Sequence, residues 1–216
     1  MYHVLILHFD DTYFYQRNLR KKAFAEIDLR SLKETKFMCP EDRLKLIEKR
    51  IPLHQSLITF IGKGDYHYIS FLFLKRIKEH FALLVIDNHL DMRAFNGDII
   101  RCDSWIYRAG FLKNLKEIFY INSSNIGKIF EVKLPIYLSI DKDIIDKKHL
   151  NTRWTQGSIS PQQLFNFLFN LLSNNKIIAA DICGEPELDI EELRKSEKIN
   201  LKIVEILQSL KMKKSA

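Results

Sequence analysis

Cysteine is scarce in this 216-residue chain, and the three present, Cys39, Cys102 and Cys183, show no C-x-x-C spacing. That excludes a thiolate-only structural zinc site and a dense disulfide framework, and three unpaired thiols fit a reducing compartment. No apolar run approaches the length of a membrane span. No basic, apolar, small-residue signal opens the chain. Repeats and long low-complexity linkers are also missing, so the expectation is one domain over residues 1–216 in the cytoplasm, with no membrane partner. The formal net charge is +7, but lysines are interspersed with acids in 41–50 and 191–202, an ordinary solvated surface. No nucleic-acid partner is expected from that pattern.

What is present is a globular composition, 46% hydrophobic and 28% charged, with strand-like and helix-like segments in alternation. Strands are predicted at 2–9, 57–61, 83–86, 117–121, 136–140 and 177–182. Helices are predicted at 41–50, 70–80, 104–114, 161–173 and 190–210. Ser160 and Pro161 form a helix start, Ser as cap and Pro at the first position. Such alternation predicts an α/β fold of three layers, α/β/α, around a mostly parallel sheet. Residues 10–40 are the least readable: either a helix near 16–24 or loops beside a pocket.

The informative motif is Asp87-Asn88-His89-Leu90-Asp91, following the apolar run Phe81–Ile86. In an extended chain alternate side chains share a face, so Asp87, His89 and Asp91 can converge where a buried parallel strand ends. Ligands of open α/β sheets gather at that edge. On spacing alone, the same acids could instead cap a following helix. Two further segments weigh against a mere cap. Ser139-Ile140-Asp141-Lys142-Asp143-Ile144-Ile145-Asp146 closes another apolar run, and Gly62-Lys63-Gly64-Asp65-Tyr66-His67 follows a third. His67, Asp87, His89, Asp91, Asp141 and Asp143 then offer four carboxylates and two imidazoles at one sheet edge. Four uncompensated carboxylates would repel one another. Two divalent cations would neutralise them, and an oxygen-rich set with imidazole suits Mn(II), with Fe(II), Co(II), Ni(II) or Zn(II) as alternatives.

These three segments, in this order, resemble the GGDH-like, DAHxD and SxDxDxxDP motifs of the ureohydrolases, the arginase and agmatinase family. The resemblance spans about residues 56 to 190. It implies two Mn(II) ions per chain, Asp87 and Asp141 bridging both, with His67 and Asp91 completing one shell and His89 and Asp143 the other. Gln156–Ser160 is similar to the family's turn before a helix. Ala180–Pro186 resembles the late strand whose Glu contacts a guanidinium. In this chain Gly184 stands at the direct alignment and Glu185 one residue later.

The implied reaction is hydrolysis of a guanidino C–N bond with release of urea. Asp143 or Asp91 would carry the proton, and Glu185 would orient the guanidinium. The stretch 92–98 lacks the His-Gly pair with which arginases grip free arginine. The expected substrate is therefore another small-molecule or peptide-borne guanidino compound. Homo-oligomers are common in the family, and oligomeric state is left open. Two other readings stand beside this one: a single-metal amide hydrolase or deacetylase on the same fold, and a non-catalytic metal-binding relative.

Other residues have simpler roles in view. His8 and His54 lie in or near apolar strands and are expected as core or edge residues. Asp10 and Asp11 suit a turn as well as a substrate contact. Trp105 and Trp154 are expected in packing, and Cys183 as a small buried hydrophobe. Asp65 would either support His67 or cap a helix.

Overall fold

The structure, a computed structural model, describes residues 3–53, 57–95, 97–127 and 131–213. Tyr2, His54, Asn96 and Lys214, each weighed from the sequence, lie outside them. In chain order the elements are β1 (His3–His8), α1 (Arg17–Arg20), β2 (Ala23–Asp28), β3 (Met38–Pro40), α2 (Glu41–Arg50), β4 (Leu57–Phe60), α3 (Ser70–Leu74) and β5 (Phe81–Ile86). They continue with β6 (Ile99–Arg101), α4 (Trp105–Ala109), β7 (Leu115–Ile121), β8 (Ile136–Asp141), α5 (Pro161–Asn174), β9 (Ile177–Cys183) and α6 (Ile190–Lys213). Seven strands form one sheet in the order β2-β1-β4-β9-β8-β5-β7, every pairing parallel. The short strands β3 and β6 pair antiparallel apart from it.

The central strands carry unbroken apolar runs because both sheet faces are covered. Every residue of β5 and β8 is buried. Alternate residues feed two cores. Leu84, Ile86, Leu138 and Ile140 join Leu164 and Leu168 of α5 and Ile203 and Leu207 of α6 on one face. Leu83, Val85 and Tyr137 join Ile47 of α2, Leu72 of α3 and Ile106 of α4 on the other. Each fully buried Leu or Ile is worth about 1.5–3 kcal/mol. A one-residue register slip would exchange the two faces and is strongly disfavoured. This is the three-layer α/β fold expected from the alternation.

The helix α5 begins as its sequence indicates, with Ser160 and Gln163 in a reciprocal capping box ahead of Pro161. Elsewhere the elements differ. The helix expected over 70–80 ends at Leu74. The Ile77 and Lys78 carbonyls accept hydrogen bonds from the Asn114 side chain instead, and Arg76 reaches back to carbonyls of Glu48 and Pro52. These bonds turn the chain into β5. The helix expected over 104–114 similarly closes at Ala109. In 10–40 the chain makes a 3-10 turn at Thr12–Tyr15, a single helical turn in α1 and then the edge strand β2. That strand alternates half-buried Ala23, Ala25 and Ile27 with exposed Phe24, Glu26 and Asp28, and its charges protect an open sheet edge.

Candidate metal centre

Strands β4, β9, β8 and β5 are consecutive neighbours in the sheet, and the chain at the ends of β4, β8 and β5 supplies one cluster. Leaving β4, a 3-10 helix over Gly64–Ile69 carries His67. The helix must come close, since a Cβ on Gly64 would lie 3.0 Å from an Asp141 carboxylate oxygen and from the Trp154 ring. Leaving β5, the backbone does not stay extended. His89 N donates to Asp87 Oδ1 at 2.7 Å and Asn88 N to Asp143 Oδ1 at 3.1 Å. An Asx turn, rather than the strand pleat, brings Asp87 and His89 round. Leaving β8, Asp143 N donates to Asp141 Oδ1 at 2.9 Å in a further 3-10 turn over Lys142–Ile144.

The six residues expected from the sequence come together. His67 Nδ1 lies 3.0 Å from Asp91 Oδ2, 3.3 Å from Asp87 Oδ2 and 3.7 Å from Asp141 Oδ2. His89 Nδ1 lies 2.6 Å from Asp143 Oδ2 and 3.8 Å from Asp87 Oδ1. Asp87 thus turns one carboxylate oxygen towards each histidine. Two sets of donor atoms, His67–Asp87–Asp91 and Asp87–His89–Asp143, each lie close enough to surround one cation. Five of the six, all but His67, line a cavity of 370 Å³ whose wall also includes Asn88, Leu90, Arg93 and Trp154.

The buried atoms fit a cation on their own chemistry. Tyr137 OH and Ser139 Oγ donate to the two oxygens of buried Asp181, at 2.7 and 2.8 Å. The Ser139 hydroxyl has one proton and has given it, so at 2.9 Å it accepts from His67 Nε2. In neutral imidazole that leaves Nδ1 bare and facing carboxylates. Nδ1 of His67 and Oδ2 of Asp87 are buried without hydrogen-bond partners. Buried polar atoms are rarely left so, and a divalent cation between them would satisfy both. The Ser139–Asp181 relay is the kind of outer support that fixes a ligand histidine's tautomer. The sequence showed Asp181 only as a lone acid inside an apolar strand. A buried charge there demands partners, and that is the signal which could have found it.

Burial first, and then the Asp143 charge, push the Asp141 carboxyl up to about 7 and Asp87 well above the carboxylate range. His89 is raised, chiefly by its hydrogen bond to Asp143. All three therefore hold protons more tightly folded than unfolded. Between the unfolded carboxyl value of about 4 and about 7, the folded chain binds more protons, so stability falls as pH rises. The metal-free protein is expected to melt several degrees higher at about pH 5.5 than at about pH 8, at about 2–4 °C per kcal/mol. A divalent cation favours the charged carboxylates and should abolish or reverse that slope. Thermal melts at both pH values, with chelator and with metal, test this, and a metal-free melting point that rises with pH would contradict it.

One expected role is corrected. Glu185 does not face the cavity. Its carboxylate accepts from Lys142 Nζ and Asn200 Nδ2 on one oxygen, and from Gln16 Nε2 and Ser196 Oγ on the other. Lys142 is itself fully buried and also donates to Ser196 and Asn200. Neither side chain lines the cavity. With Gly184 at φ +75°, a Cβ at that position would stand 2.2 Å from Asp141 Oδ1, so no side chain fits where the direct alignment would put the Glu.

The remaining candidates take structural roles. His8 pairs with Glu26 at 2.7 Å. Asp10 accepts from Thr12 N in a turn, and Asp11 from Arg30. Buried Trp105 donates to Asp91 Oδ2, an acid that lines the cavity, and Trp154, itself in the cavity wall, donates to buried Asp65 Oδ1. Asp65 supports the cavity wall rather than capping its helix.

The fold is the arginase-like α/β fold seen in the ureohydrolases. A hypothetical agmatinase from Burkholderia thailandensis superposes with a TM-score of 0.73 at 14% identity, over 98% of this chain and 87% of that one. Agmatine ureohydrolase of Thermoplasma volcanium gives 0.67 at 15% identity, over 100% and 92%. Formimidoylglutamase from Bacillus subtilis gives 0.66 at 12% identity, over 95% and 86%. The chain belongs to one family with an uncharacterized protein of Thermotoga maritima, to which it is 35% identical over 222 residues, covering 95% of this chain and 89% of that protein. No family model matches the chain. Among the described residues no helix is long and apolar enough to cross a membrane.

Proposed function

We propose that this protein is a hydrolase that uses two divalent metal ions, Mn(II) first among the candidates, to cleave a C–N bond of a guanidino compound and release urea. The observation that carries the reading is Asp87, buried and directed through one oxygen at His67 and through the other at His89. A carboxylate so placed suits a bridge between two cations, with His67 and Asp91 on one side and His89 and Asp143 on the other. Asp141, 3.7 Å from His67 and bonded to the Asp143 backbone, is the second proposed bridge. Two acceptor sets favour this over a single-metal deacetylase.

Bound divalent cations would supply Lewis acidity and a water acidified towards neutral pH. The chain's own residues do the rest. Asp91 and Asp143 line the cavity, and either can take a proton from the attacking water and return it to the leaving nitrogen. Trp105 fixes Asp91, and the Asn88 backbone fixes Asp143, so neither carboxylate needs to reorganise during the reaction. The Trp154 ring, 5.9 Å from that of His89, shields one wall of the cavity from water. With Glu185 engaged elsewhere, the guanidinium would be oriented by the cavity carboxylates themselves. Residues 92–98 support a substrate other than free arginine, small or peptide-borne.

The test is urea and ammonia release from a panel of guanidines by protein loaded with Mn(II), Zn(II) or Co(II). Urea release from at least one of them, abolished by chelator and restored by metal, is expected. Acetate release from acetylated amines without urea would overturn the reading in favour of deacetylation.

A further inference from the structure

Cys183 ends β9, is fully buried, and lies on the same strand face as Asp181. Asp181 reaches behind His67 through Ser139, while Cys183 places its sulfur 3.1 Å from Asp141 Oδ2. The donor atoms of His67, Asp141 and Cys183 lie close enough to surround one cation. His67 also belongs to the donor set with Asp87 and Asp91, and His67 Nδ1 and Asp87 Oδ2 are both buried without hydrogen-bond partners. Donors around a tetrahedral zinc, with bonds of about 2.0–2.3 Å, stand roughly 3.3–3.6 Å apart. The separations of 3.1 Å from Cys183 to Asp141 and 3.7 Å from Asp141 to His67 bracket that range. The other donor set, Asp87, His89 and Asp143, contains only oxygen and nitrogen.

We infer that the Cys183 thiolate is a direct ligand of the metal held by His67, so that this position takes Zn(II), Fe(II) or Co(II) in preference to Mn(II). The position at His89, with harder donors only, remains suited to Mn(II). As the sulfur–metal bond forms, the thiol proton leaves to solvent. The inference rests on the two-metal reading above and makes its two positions chemically unequal.

Anaerobic titration of Co(II) into the metal-free, full-length protein tests it. Visible Co(II) ligand-field bands report uptake at either position, and a near-ultraviolet sulfur-to-cobalt charge-transfer band reports a thiolate ligand. The band is expected in the parent and in a Cys39→Ser/Cys102→Ser variant, and is expected to vanish in Cys183→Ser while the visible bands remain. Zn(II) affinity of Cys183→Ser should fall by at least the about 10–100-fold that losing an outer partner costs, with Mn(II) affinity little changed. Co(II) uptake by the parent without the near-ultraviolet band overturns the sulfur ligand and leaves the two-metal reading standing. Persistence of the band in Cys183→Ser, or its loss in the Cys39→Ser/Cys102→Ser variant, also overturns it. Absence of any Co(II) uptake overturns both. Because the parent and the Cys39→Ser/Cys102→Ser variant carry the test alone, it does not depend on Cys183→Ser folding.

Discussion

An Asp87→Ala variant should lose both metals and all hydrolysis, whereas Asp91→Ala should keep the metal at His89. The difference follows from placement. Asp87 is the carboxylate with an oxygen towards each histidine, at 3.3 and 3.8 Å, while Asp91 contacts only the His67 side, where Trp105 holds it. Removing Asp87 also leaves His67 and His89 among three carboxylates with no shared counter-ligand. Activity should fall by several powers of ten, as expected when a cation supplying both the nucleophile and the transition-state charge is lost. Folding should survive, because in the metal-free chain a raised Asp87 costs stability rather than adding it. Metal counting and turnover on the same preparations check this. Two metals retained in Asp87→Ala would remove Asp87 from the bridging role.

The second large effect concerns stability. Lys142 and Glu185 form a fully buried ion pair, tied to Gln16, Ser196 and Asn200. Taking two charges from water costs several kcal/mol each, which their attraction and hydrogen bonds offset only when every partner is present. Burial lowers the Lys142 ammonium, opposed by the Glu185 charge. Lys142→Met, which strands the Glu185 carboxylate, should cost about 3–5 kcal/mol. At about 2–4 °C per kcal/mol for a chain of this size, the melting point drops by about 6–20 °C. The double variant Lys142→Met/Glu185→Gln removes both charges and should recover most of that loss. Denaturant titration of the parent, single and double variants measures it, and a single variant within about 1 kcal/mol of the parent would contradict the account. A positional consequence accompanies the energetic one. By anchoring Lys142, which lies between Asp141 and Asp143 in the turn, to Ser196 and Asn200 of α6, the network helps hold that turn in place, so metal affinity should weaken in Lys142→Met as well.

Sequence patterns revealed the sheet best where burial is two-sided. The runs that became β5 and β8 are apolar without alternation, and that two-sided burial could be read from the chain alone. The helix at 41–50 and the capped start at 161 were legible because their signals are local. Strand β2 was not recognised, although Phe24-Ala25-Glu26-Ile27-Asp28 alternates, because a half-exposed edge strand carries charges that also suit a helix. The length of α3 was hidden because its end is set by distant partners, the Asn114 side chain and the carbonyls of Glu48 and Pro52. The six clustered donors were legible from spacing at three strand ends, but the reason they converge was not. Turns at Asp87 and Asp141, rather than pleated strands, direct them inward. Lys142 and Cys183 show the limit most clearly. Between two acids, or inside an apolar strand, neither residue's type discloses that one is buried against Glu185 and the other against Asp141.

His67, Asp87, His89, Asp91, Asp141 and Asp143 are proposed to form a two-metal centre. Elemental analysis of purified protein, saturated with divalent metal and then freed of loosely held ions, tests it most directly. The account predicts two metals per chain, both lost in Asp87→Ala. One metal per chain, or none, would contradict it.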